Sequence, residues 1–142
     1  MTDADQAGAA VAAMMSRDRA SGALGITVHS VEPGRASAEL VMTELMVNGH
    51  GVVHGGYVYL LADTAMAAAC NTSGITTVSA GADITYCAPA HAGDVLVAEA
   101  VERLRFGRSA LVDVTVRRPD GAVIAEMRGR ARELRPAGGG RA

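Results

Sequence analysis

A run from Asn48 to Gly74, NGHGVVHGGYVYLLADTAMAAACNTSG, limits the folds open to this chain more than any other feature. From Gly55 to about Asn71 its pattern predicts one helix that is apolar on nearly every face, and such a helix is buried all round rather than laid on a surface. One acid, Asp63, stands in its middle, with no basic residue within a helical turn on either side. Taking a carboxylate out of water is costly unless something pairs with it or uses it. The bland reading is a structural carboxyl tied up by hydroxyls. The lack of a sequence-local partner favours a carboxyl held for chemistry. Burial raises the pKa of such a group, and nearby donors or a facing helix N-terminus lower it.

Gly49, Gly51, Gly55 and Gly56 precede the helix and let bare backbone N–H groups come close to a ligand. The first helical turn has unpaired donors and the positive end of the macrodipole, which suits a carbonyl oxygen gaining charge during acyl transfer. Spacing adds a constraint. Gly55 and Asp63 are eight residues apart, roughly 12 Å along the axis, so both cannot touch one carbonyl. His54 and Asp63 are separated by about 900° of rotation and point to opposite sides. If these groups serve one site, the acid comes from one subunit and the glycine amide from another, across a two-fold axis with antiparallel helices.

The chain has 142 residues, enough for one domain. A net charge of −2 provides no general attraction to nucleic acid or to an anionic membrane. With 49% hydrophobic and 20% charged residues the chain is globular rather than disordered. Aromatic residues are few, and a core of Ala, Val, Leu and Met suffices if oligomerisation extends it. Cys70 and Cys87 form no CxxC pair and read as small buried hydrophobes. His29, His50, His54 and His91 show no metal-ligand spacing with the acids, although His50 and His54 are four apart in a glycine-rich loop. The N-terminus has neither a basic n-region nor an apolar h-region, and a soluble cytoplasmic protein is expected.

Residues 1–20 carry acids first, AGAAVAAMM next, and Arg17, Asp18 and Arg19 last, which predicts an N-terminal helix or partly disordered lead whose first residues fray. The domain proper covers 21–134. In it, Ile26, Val28 and Val31 lead to Pro33-Gly34, and Ala36, Ala38, Leu40 and Met42 alternate afterwards, a β-hairpin with His29 on its solvated side. After Gly74, TTVSAGADITYCAP resumes strand character. Asp94–Arg105, Arg108–Arg118 and Ala122–Glu133 each alternate, with turns at Phe106-Gly107 and Pro119-Asp120-Gly121. Strand follows strand without crossover helices, so an α+β fold is expected in which a meander of antiparallel strands wraps the long helix. An edge or back face left over is most simply covered by another subunit. Residues 135–142 read as a flexible tail.

The segments NGH…HGG…LADTA, then CN, then ITYCAPAHAGD carry a family likeness. Over about Leu24 to Glu133 the chain resembles the hotdog-fold thioesterases, most closely their PaaI-like branch. The resemblance implies hydrolysis of phenylacetyl-CoA and related aryl-CoA thioesters, with coenzyme A as part of the substrate and no cofactor. It implies that Asp63 is nucleophile or general base, that the Gly55 N–H polarises the thioester carbonyl, and that His54 and Asn48 shape the site. Thr64 follows the acid as in the family motif, and Ser79 matches a serine that helps hold water. A dimer, or a dimer of dimers, is also implied, in agreement with the helix geometry. Two alternatives share the scaffold: a non-catalytic acyl-CoA-binding module, which has no need of Asp63, and a dehydratase or hydratase, which pairs a His with an acid in a different local pattern.

Other residues have competing bland readings. Asn48 fits an ordinary turn before Gly49, and only the resemblance promotes it. Tyr57 and Tyr59 fit the core or an interface, though either could line an aryl pocket. Arginines 103, 105, 108, 117, 118, 128, 130 and 132 fit a solvated sheet face paired with Glu99, Glu102 and Asp113. Coenzyme A phosphates need such cations, so Arg108 and its neighbour Ser109 are candidate contacts.

Overall fold

A computed structural model describes residues 1–134. The predicted tail, 135–142, lies outside the described residues. The elements are α1 (Asp3–Met15), α2 (Arg19–Leu24), β1 (Thr27–Glu32), β2 (Arg35–Val41), a 3-10 turn (Glu44–Met46), α3 (Gly55–Cys70), β3 (Thr77–Tyr86), β4 (Val95–Phe106), β5 (Ser109–Arg117) and β6 (Val123–Glu133). All strand pairings are antiparallel, in one sheet of order β1-β2-β4-β5-β6-β3. The α+β expectation holds, with one correction to its topology: only β4, β5 and β6 form a meander. β3 pairs with β6 at one edge, and β4 pairs with β2. Among the described residues no helix is long and apolar enough to cross a membrane.

The expected short N-terminal helix is present as α1. The Thr2 hydroxyl accepts the Asp5 N–H at 3.1 Å and the Asp5 carboxylate accepts the Thr2 N–H at 3.0 Å, a reciprocal cap at its start. Arg17, Asp18 and Arg19 do not close one helix. Asp18 accepts the Ser21 N–H at 2.9 Å and begins α2.

α3 lies along one face of the sheet. Leu61, Ala62, Ala65, Met66, Ala68 and Ala69 are fully buried, and beneath them sit Leu40, Leu96, Val112, Val114 and Ile124. Burying a side chain such as Leu61 contributes about 1.5–3 kcal/mol, so the apolar character of α3 drives the fold. The contact is close because β6 has Gly129 where the helix presses in. A Cβ there would lie 1.8 Å from the Met66 sulfur.

At its far end α3 is tied down by polar groups. The Asn71 side chain donates to the Ala67 and Thr77 carbonyls, both at 2.8 Å, and accepts the Thr77 N–H at 2.9 Å, acting as a stand-in strand at the start of β3. The Thr72 hydroxyl accepts the N–H of Gly34, in the β1–β2 turn, at 2.8 Å. Arg105 donates to the Cys70 carbonyl at 3.0 Å, to Glu133 at 2.8 Å and to Glu102 at 2.6 Å.

β3 has a bulge. Ser79 pairs with Ala131 and Gly81 with Arg130, so Ala80 is an extra residue. Beyond it, Ala82, Ile84 and Tyr86 face Gly129, Met127 and Ala125 across the ladder. Those three residues and Ala131 are all buried against the helix side of the sheet. Because directly paired residues share a face, Ser79 and Tyr86 both lie on the helix side, despite a separation of seven.

Candidate active site

Asp63 is half-buried in the middle of α3, and its Oδ1 is buried with no hydrogen-bond partner among the described residues. Loss of water pushes its carboxyl pKa up, the Ser79 hydroxyl alongside it pulls the pKa down, and the charge of Asp18 raises it further. The structure therefore brings Asp63 and Ser79 together and adds Asp18, which the residue pattern alone does not single out. The acid is not absorbed into a hydroxyl network. That network belongs to its neighbour: Thr64 is buried, donates to the Leu60 carbonyl at 2.9 Å and meets the Ser21 hydroxyl at 3.0 Å, while Ser21 donates to Asp18 at 2.7 Å. Thr64 thus ties α2 to α3 next to Asp63.

The other half of the site is the start of α3. His54 is the N-cap, with backbone in the extended region, and its Nδ1 accepts the Gly56 N–H at 2.9 Å. The His54 carbonyl accepts the Tyr57 N–H at 3.0 Å. The Gly55 N–H has no hydrogen-bond partner among the described residues. A helix N-terminus with one open donor suits an electrophilic carbonyl oxygen. Beside it lies an apolar hollow of about 500 Å³ lined by Gly55, Val58, Tyr86, Pro89 and Ile124, large enough for an acyl group.

Residue 55 is glycine because of Tyr86, the last residue of β3. A Cβ on Gly55 would lie 2.9 Å from the Tyr86 ring, and the Tyr86 hydroxyl donates to the Gly55 carbonyl at 3.0 Å. Sequence reasoning missed Tyr86. It sits 31 residues from its partner, in a TYCAP segment that otherwise reads as a strand end. Burial raises its pKa, and Tyr59 nearby adds to the rise, so the phenol stays a donor.

Asn48 forms the turn that its residue type suits. Its side-chain oxygen accepts the His50 N–H at 2.9 Å and the Val52 N–H at 3.3 Å, shaping the loop that delivers His54. Tyr57 and Tyr59 are half-buried against the core. Arg108 is exposed at the β4–β5 tip, and its carbonyl accepts the Glu133 N–H at 2.7 Å. Ser109 pairs with Arg132 on β6, one register step from the Ala131–Ser79 pair, so both residues lie at the Ser79 end of the sheet. The other arginines are largely taken: Arg103 and Arg128 by Asp113, Arg105 by Glu102 and Glu133, Arg130 by Asp83, and Arg118 by Asp120. Glu99 is exposed and joins none of these pairs. Of the two thiols, Cys70 is buried as expected, and burial pushes it up to about 11. Cys87 is exposed, contrary to expectation, because β3 ends one residue before it.

A Thioesterase superfamily model matches residues 50–125. The acyl-coenzyme A thioesterase PaaI of Escherichia coli (strain K12) is 34% identical over 122 residues, covering 86% of this chain and 87% of that one. The acyl-coenzyme A thioesterase 13 of Homo sapiens is 33% identical over 107 residues, 72% of this chain and 76% of its own length. Among solved structures, E. coli PaaI superposes with a TM-score of 0.92 at 32% identity over 94% of this chain and 97% of that chain. A mutant of the phenylacetic acid degradation protein PaaI from Thermus thermophilus gives 0.78 at 34% identity, covering 82% and 100%. By the family model, the sequence identity and the superposition together, the chain belongs to the thioesterase superfamily, in its PaaI-like hotdog branch.

Proposed function

We propose that the chain hydrolyses (hydroxy)phenylacetyl-CoA or related aryl and medium-chain acyl-CoA thioesters to the free acid and coenzyme A, at a site shared between two subunits. The observation that carries this reading is the Asp63 carboxyl, half-buried with its Oδ1 unpartnered, and beside a serine. The thioester carbonyl rests against the Gly55 N–H of one subunit, which stabilises the oxyanion as it forms. Asp63 of the partner subunit takes a proton from water that attacks the carbonyl carbon, or attacks that carbon itself. The C–S bond then breaks and coenzyme A leaves as thiolate. A raised carboxyl pKa makes Asp63 the stronger base, and Ser79 is placed to hold the water.

The edge strand supports the shared site. On β3, Ser79 lies beside Asp63 and Tyr86 beside Gly55. An antiparallel pairing of two copies of β3 about a two-fold axis near its middle carries the Asp63 end of one copy toward the Gly55 end of the other. Val78, 41% exposed, and Tyr86, 50% exposed, are covered in the process. The assembly is a dimer or a dimer of dimers. Tyr59, near Tyr86 but outside the lining of the Gly55 hollow, contributes to binding the acyl group, His54 and Asn48 shape the entrance, and Arg108 with Ser109 meets coenzyme A phosphates. The reading puts the enzyme in the cytoplasm and requires no cofactor, since coenzyme A enters with the substrate.

Thiol release from a panel of aryl- and alkyl-CoA thioesters tests the reaction and ranks acyl groups. Hydrolysis by an Asp63→Asn variant at the wild-type rate would refute it. Single turnover in oxygen-18 water separates attack by Asp63 from attack by water. Mixing inactive Asp63→Asn and Gly55→Pro proteins tests the sharing: after subunit exchange, hybrid dimers contain one intact site, and about a quarter of wild-type activity returns. No recovery places both groups in one subunit's site.

A further inference from the structure

We propose that Tyr86 is a positioning residue for the electrophile-binding end, locking the Gly55–Gly56 peptide so that the Gly55 N–H is left to the thioester carbonyl and His54 presents its Nε2–H to the same space. The inference rests on the reading of Gly55 given above.

The peptides on either side of the Gly55 Cα are each held. In the His54–Gly55 peptide, the carbonyl accepts the Tyr57 N–H at 3.0 Å, which leaves only the Gly55 N–H. In the Gly55–Gly56 peptide, the carbonyl accepts the Tyr86 hydroxyl at 3.0 Å and the N–H donates to His54 Nδ1 at 2.9 Å. A carbonyl in the first turn of a helix already serves the helix ladder, so the phenol uses its second lone pair. A bond at that oxygen polarises the peptide and strengthens the Gly56 N–H as a donor. A neutral imidazole that accepts at Nδ1 carries its proton on Nε2. The chain Tyr86, Gly55, Gly56, His54 therefore fixes the peptide that follows the Gly55 Cα and the tautomer of the exposed ring, while the Tyr57 N–H holds the peptide that carries the open donor. The ring of Tyr86 adds steric definition, because it fills the space in which any side chain at 55 would stand.

Tyr86→Phe keeps the ring and deletes only the hydroxyl. In the Asp63→Asn background, which holds a thioester without turning it over, the infrared stretch of an isotope-labelled phenylacetyl-CoA carbonyl reports its polarisation. The expected result is a lowered frequency in the parent, part of which is lost in the double variant. In the active enzyme, Tyr86→Phe lowers kcat roughly three- to tenfold, the worth of one hydrogen bond. KM stays within about twofold, since a hydrogen bond to the neutral carbonyl contributes far less to ground-state binding than to the developing oxyanion. An unchanged carbonyl frequency with unchanged kcat overturns the proposal, as does a loss confined to thermal stability or to KM. A parent that binds the thioester without shifting its carbonyl sinks the Gly55 assignment itself, and this inference with it.

Discussion

The two ends of α3 differ in what they do with their orphaned backbone groups. At the C-terminal end, Arg105 serves the Cys70 carbonyl, Asn71 bridges to both backbone groups of Thr77, and Thr72 reaches the β1–β2 turn. At the N-terminal end, His54 and Tyr86 hold the Gly55–Gly56 peptide and leave the Gly55 N–H open. Closure at one end anchors the helix through β3, β4, β6 and a hairpin turn. The other end is thereby free to keep a donor for a substrate. On the proposed function, stability and chemistry are divided along one helix, with Asp63 between them.

The sharpest way to break this division is at Asp63. Asp63→Asn is expected to lower thioester hydrolysis by 10²- to 10⁴-fold, the range for loss of a positioned base, in a thiol-release assay. The same change should stabilise the protein at neutral pH. The folded carboxyl has a raised pKa, so its stabilising contribution is full below the unfolded value of about 3.9 and is lost as pH rises through the folded value. Thermal unfolding at pH 7 should therefore favour the variant, and the gain should vanish near pH 3. The wild-type pH–rate profile should show an acid limb above the ordinary carboxylate range, absent from the residual activity of Asp63→Asn.

Next comes a pair at the open end. Gly55→Ala and Gly55→Pro both bring a Cβ against the Tyr86 ring, but only proline removes the N–H, at a first helical position where proline is tolerated. Gly55→Pro should lose about 10²- to 10³-fold in kcat beyond whatever Gly55→Ala loses. Equal losses in the two variants would take the amide out of the mechanism.

At the closed end, Arg105→Ala should cost about 2–3 kcal/mol in denaturant unfolding, because Glu102 and Glu133 lose a half-buried partner and Cys70 its donor. Turnover per folded molecule should not change. A large loss of kcat there would mean the two ends are not separable. Smallest is His54→Ala, expected to remove about 1 kcal/mol of helix capping together with a severalfold loss of activity.

Much of this was legible in the residues. An acid without a partner inside an apolar helix marked Asp63, and period-two alternation located β2, β4, β5 and β6, while β3 showed only general strand character. Alternation tells which face a residue occupies but not which strand lies beside it, which is why β3 was expected in the meander when it pairs with β6. α2 was missed because six residues cannot display a helical stripe, and Asp18 looked like the end of α1 when it starts a new helix. Tyr86 could not be found from spacing, since its role exists only where β3 passes the start of α3. Thr64 fitted a motif, yet its hydroxyl points to Ser21, a partner 43 residues away. Arginine counts likewise hid the distinction between Arg105, half-buried in a clasp, and Arg108, out at a tip.

The extra residue at Ala80 acts as a reading-frame device. Deleting it would change no reactive group, yet every side chain on one flank of that point would swap sides, and Ser79 would turn its back on Asp63 while Tyr86 kept its place. A catalytic defect from removing one methyl-bearing spacer would show that the chemistry depends on counting as much as on composition.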